Sequence, residues 1–78
     1  MSNEETYIKN RIKDMNIKVN HPIFSDKIDS AYMEETGNSS DCLSKAYNDM
    51  VSKNELTIDY DKNDYILTKN GHTAIFSG

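Results

Sequence analysis

Cysteine occurs once in the 78 residues, at Cys42. That excludes an internal disulfide and any zinc site built from several cysteines of one chain. Proline also occurs once and glycine three times, so each marks a definite place in the chain. No apolar run approaches the roughly 20 residues that span a bilayer, and the opening MSNEETYIKN lacks a basic-then-apolar signal. These absences predict an intracellular, cytoplasmic chain with no membrane segment. Glycine-rich phosphate loops, internal repeats and low-complexity stretches are missing too.

Positive charge is scarce: nine Lys and Arg stand against thirteen Asp and Glu, net -4. The deficit is local. Residues 1–20 hold four cations against three anions, residues 21–55 three against seven, and residues 56–78 two against three. What is present is a modest apolar set, in which five tyrosines, two phenylalanines and four methionines supplement Ile, Leu and Val. This length suits one domain, residues 1–78, that buries only about 60% of its unfolded surface.

Tyr7, Ile8, Ile12 and Met15 recur at helical spacing and predict a first helix over 4–15, with Glu4 and Glu5 at its positive end. Its outer face carries Lys9, Arg11 and Lys13, the one basic strip. Ile17 and Val19 alternate with polar residues, which predicts a short strand over 16–20 ended by His21 and Pro22. Ser25 is placed to cap a helix over 26–36 with Ile28, Ala31 and Tyr32 inward, and Gly37 can take the left-handed conformation that ends it. After Asn38, Ser39 caps a further helix from Ser40 to about Lys53.

Leu43, Ala46, Tyr47, Met50 and Val51 form the inward stripe of that helix. Asp41, Ser44, Lys45, Asn48, Asp49 and Ser52 face outward. LTIDY (56–60) and YILT (65–68), separated by Asp61, Lys62, Asn63 and Asp64, predict a β-hairpin with Leu56, Ile58 and Tyr60 on one face. The tail predicts a turn at Asn70 and Gly71, with Ala74, Ile75 and Phe76 docking back.

Two segments carry a family resemblance. ETGNSSDCLSKAYNDMVSKNEL is similar to a turn and recognition helix, and YILTKNGHTAI to a second wing strand closed by Leu67, Thr68 and Gly71. In this the chain resembles the winged helix-turn-helix superfamily, especially small bacterial and phage transcription regulators. The resemblance implies an α+β fold: a three-helix winged helix-turn-helix with a short β-hairpin wing. It implies a DNA-binding regulator that reads bases with Ser40, Asp41, Ser44, Lys45 and Asn48 of the 40–53 helix and uses the 56–68 hairpin, with Lys62, as wing. Asparagine can pair with an adenine edge and lysine with guanine or phosphate. Two departures stand out, Asn38 in place of an apolar turn residue and a wing tip that is acidic overall.

Affinity for duplex DNA grows with the number of phosphates neutralised. Lys9, Arg11, Lys13, Lys27, Lys45, Lys53, Lys62 and Lys69 are few for that purpose, so a monomer would bind weakly and a homodimer or a partner would be needed. The alternative is an acidic protein-binding module, such as a phage or mobile-element inhibitor, antirepressor or anti-defence protein. It would use the acidic 40–53 helix, with Asp41 and Asp49, and the wing against a basic partner.

Bland explanations compete for the same residues. Asp41, Lys45, Asp49 and Lys53, spaced by four, can form a solvated ion-pair ladder worth about 0.2 to 0.5 kcal/mol per pair. Tyr47, Tyr60 and Tyr65 suit packing as well as base stacking. Cys42 fits a half-buried small hydrophobe. Glu34 and Glu35 are adjacent and point about 100 degrees apart on a helix, so they cannot act as an acid-base pair. His21 and His72 lack a cysteine partner. An enzyme is not expected, nor a cofactor, nor a metal.

Overall fold

Residues 3–77 are described by the computed structural model. Helix α1 (Asn3–Asp14) has Glu4 and Glu5 in its first turn and Arg11 and Lys13 in its last, the signs each end of a helix dipole favours. Ile8 and Ile12, one turn apart, are fully buried, and Tyr7 and Met15 pack at the margin of the same core.

The strand expected over 16–20 does not form. Asn16 and Asn20 take positive φ (53° and 67°), a conformation asparagine tolerates and extended backbone does not contain. Pairing begins later: Asn20 N–H donates to Leu67 O (2.7 Å), Leu67 N–H to His21 O (3.0 Å) and Ile23 N–H to Tyr65 O (3.0 Å). Pro22, expected to end the strand, instead bridges Ile66 at the centre of this contact. Its neighbours supply the hydrogen bonds, so its missing N–H leaves no gap in the ladder.

Helix α2 (Ser25–Thr36) starts on Phe24, which is left-handed (φ 58°, ψ 57°) and has no side-chain acceptor. Ser25 is therefore the first helical residue and not the cap. The cap comes from elsewhere in the chain: Asp64 Oδ2 accepts from Phe24 N–H and Asp64 Oδ1 from Ser25 N–H, each at 3.1 Å. Ile28 and Tyr32 face the core. Gly37 closes the helix as expected, at φ 73°, with its N–H on Met33 O (2.9 Å).

Ser39 caps the next helical segment, its hydroxyl accepting from Asp41 N–H at 3.2 Å. The first turn, Ser40–Leu43, is a 3-10 turn that runs into α3 (Ser44–Ser52). Leu43, Ala46, Tyr47 and Met50 are buried, with Val51 at the core margin.

Strands β1 (Leu56–Asp59) and β2 (Asp64–Leu67) pair antiparallel, Leu56 opposite Leu67 and Asp59 opposite Asp64. The loop is Tyr60–Asn63, one residue earlier than expected, because Asp59 Oδ1 accepts from Asp61 N–H (3.1 Å) and Lys62 N–H (3.2 Å) and turns the chain there. Leu56 is in the core, but Ile58 and Tyr60 on the same face run progressively out of it.

The tail forms α4 (Lys69–Phe76) where a turn was expected, so among the described residues the α+β fold has four α-helices and not three. Thr68 is its cap: the hydroxyl accepts from Gly71 N–H (3.0 Å) and donates to Asn54 O (2.6 Å). Gly71 serves close approach and not a turn, since an added Cβ would overlap the Glu55 carbonyl oxygen and lie 2.9 Å from Leu67 Cδ1. Ile75 is buried and Phe76 packs beside it, whereas Ala74 faces solvent. Among the described residues, no helix is long and apolar enough to cross a membrane.

Candidate recognition surface

The 3-10 turn and α3 bury one side and present the other, and that geometry gathers most of the residues expected to form a site. Asp41, Ser44, Lys45 and Asn48 are exposed, and Ser40 and Asp49 half-buried, all on this one short segment. Lys62 is exposed at the hairpin tip, with no hydrogen bond or ion pair to the other six among the described residues. A shallow depression of about 190 Å³ between the start of α1 and α3 is lined by Glu4, Cys42, Lys45, Ala46 and Asp49. Cys42 is exposed, contrary to expectation. A 3-10 turn advances about 120 degrees per residue, so with Leu43 held inward Cys42 rotates to solvent.

The expected ladder along α3 does not form: among the described residues no ion pair joins Asp41, Lys45, Asp49 and Lys53. Lys53 instead donates to Glu5 Oε1 at 2.6 Å, an ion pair across 48 positions of sequence. That hydrogen bond raises the Lys53 pKa. Lys9 lies 3.4 Å from Glu55 Oε1 and 4.0 Å from Glu5 Oε2. Glu5 and Glu55 are both buried, at 2% and 9% exposure, so these two lysines compensate carboxylates that would otherwise be costly to bury. The basic strip of α1 thereby loses Lys9, and the α3 face keeps Lys45 flanked by Asp41 and Asp49.

No family model, no curated protein and no solved structure matches this chain.

The tyrosines separate into two kinds. Tyr47 and Tyr65 stack at 4.7 Å with planes 10° apart, and Tyr47 OH donates to Asp29 Oδ1 at 3.0 Å. Burial, then the charge of Asp29, raises the Tyr47 pKa, and burial also raises that of Tyr65. Both are packing residues. Tyr60 is the opposite, 85% exposed at the start of the hairpin loop. His72 stacks on Phe76 at 4.4 Å, and among the described residues no three His, Cys, Asp or Glu side chains converge as a metal site would require.

Sequence reasoning did not find Glu5, Glu55 or Asp64 as structural charges. Glu5 and Lys9 are spaced by four, which is a local signal, but the pairing of Lys53 with Glu5 leaves no trace in local sequence.

Proposed function

We infer that the chain is a small winged-helix-type module that recognises a basic protein surface through the outer face of the 3-10 turn and α3, with the hairpin as a second point of contact. Support comes first from charge: Glu5 and Glu55 hold Lys53 and Lys9, and the one lysine left on the α3 face is flanked by Asp41 and Asp49. Such a field attracts cationic partners and repels phosphate. An inhibitor, antirepressor or anti-defence role fits this chemistry. A labelled oligoarginine tests it by anisotropy: the chain binds, and Asp41→Lys with Asp49→Lys loses the binding while keeping its helical circular dichroism. Equal affinity of the charge-reversed protein sinks the reading.

A second reading, a DNA-binding transcription regulator, rests on a specific observation. Ser44, Lys45 and Asn48 stand exposed together on α3, and lysine and asparagine can read base edges. With so few free cations it requires a homodimer to hold a specific site on double-stranded DNA. Under this reading Lys45→Ala with Asn48→Ala abolishes selection of one duplex from a random pool, and an unchanged selected sequence rules it out.

A further inference from the structure

The hairpin tip combines an apolar anchor with a carboxylate rim, on a loop held in one shape. Tyr60 has the most exposed large apolar side chain among the described residues, at 85%. Ile58, two residues earlier on the same strand face, is 38% exposed. With Asn63, Asp64 and Tyr65 they line a depression of about 140 Å³. The loop is fixed by the two amides that Asp59 Oδ1 accepts and by the left-handed Asn63 (φ 53°). Around it stand three carboxylates, Asp59, Asp61 and Asp64, against one amine, Lys62.

A hydrophobic ring this exposed contributes nothing to the core, whose members lie elsewhere. On a fixed loop, a tyrosine has few rotors to immobilise and loses little entropy on contact. The rim selects the chemistry of what it meets: a carboxylate ring repels phosphate, whereas a guanidinium stacks flat on a tyrosine face and forms paired hydrogen bonds with carboxylates at the same time. We propose that Tyr60 and Ile58 are the anchor of a docking site for an arginine-bearing protein segment, the arginine lying on the Tyr60 ring and an apolar neighbour filling the depression beside Ile58. Asp61, exposed and outside the loop's internal bonds as acceptor, is the carboxylate placed to take the guanidinium. Asp64 contributes charge alone, because its two oxygens already accept from Phe24, Ser25 and Tyr65.

This rests on the reading of the chain as a binder of basic protein, and the experiment separates the two. A random-peptide phage library is selected on the full immobilised chain, and the enriched peptides are titrated against the parent, Tyr60→Ser, Tyr60→Phe and the Asp41→Lys, Asp49→Lys protein. The result expected is enrichment of arginine next to an apolar residue, with affinity roughly tenfold weaker for Tyr60→Ser and retained by Tyr60→Phe. Since the side chain is exposed, Tyr60→Ser melts at the parent temperature, which keeps a loss of affinity attributable to the ring. Arginine-rich peptides that bind Tyr60→Ser as well as the parent, but fail on the charge-reversed α3 face, overturn the tip as anchor and leave the basic-partner reading standing. Enrichment of lysine without arginine overturns the tip proposal alone, and enrichment without either cation overturns both. Binding of a random DNA duplex that weakens in Tyr60→Ser also overturns the proposal, by assigning the ring to base stacking.

Discussion

At Gly71 a single hydrogen atom in place of a methyl lets α4 lie against the end of the loop before β1. The missing Cβ would overlap the Glu55 carbonyl, which is backbone and cannot swing aside. Gly71→Ala is expected to lower stability by at least about 2 kcal/mol, seen as a shifted urea midpoint with an unchanged slope. Three tyrosines set a second test. Burial, reinforced by the hydrogen bond to Glu35, pushes Tyr7 up to about 12 from the ordinary 10.0, and Tyr47 and Tyr65 are raised as well. A raised folded pKa means that the neutral phenol is favoured in the fold. Its stabilisation is complete below about pH 10 and is lost as pH climbs through the folded values. Lys53, raised by Glu5, acts with the same sign. Tyrosine ionisation followed by ultraviolet difference absorption therefore lags behind free tyrosine above about pH 10 and finishes together with loss of helical circular dichroism.

Among the elements, α2 is tied to the hairpin by a carboxylate that sequence assigns to a turn. Asp64 satisfies two free amides at the start of α2, and Ser25 is not the cap. Asp64→Ala is expected to cost about 1 to 2 kcal/mol and to speed hydrogen exchange in the first turn of α2. Ser25→Ala should change neither. The α3 stripe was legible in the sequence because Leu43, Ala46, Tyr47 and Met50 obey one local period, and Gly37 because a helix end needs its conformation. The hairpin was legible to within a residue. Asp64 was not, since its partners lie 39 and 40 positions away and serine before a helix is the commoner cap. For α4 the sequence carries the capping hydroxyl of Thr68 but not the packing of Gly71 against Glu55, and Asn70 with Gly71 has the composition of a bend. Six of the seven candidate site residues do share one surface segment, because a stripe that buries one side fixes the other. The engagement of Lys9 and Lys53 depends on the fold and could not be read from composition.

For the whole molecule, the decisive quantity is how much positive charge is left to meet a partner. Net charge is -4, and Lys9 and Lys53 are already paired with Glu55 and Glu5. The lysines that remain exposed, Lys13, Lys18, Lys27, Lys45, Lys62 and Lys69, are spread from α1 to α4. Lys27 stands 5.3 Å from the centre of the Phe24 ring, by the start of α2. DNA binders gather such charge into a patch or stripe, because each neutralised phosphate adds to affinity and to its salt dependence. The most direct measurement of whether this acidic surface avoids nucleic acid is anisotropy of a labelled random-sequence duplex titrated with the wild-type chain at low salt. No rise is expected even at about 100 µM protein, the weak end of non-specific DNA binding. A saturable rise that weakens steadily as salt is added would contradict the basic-partner reading and restore the duplex as the partner.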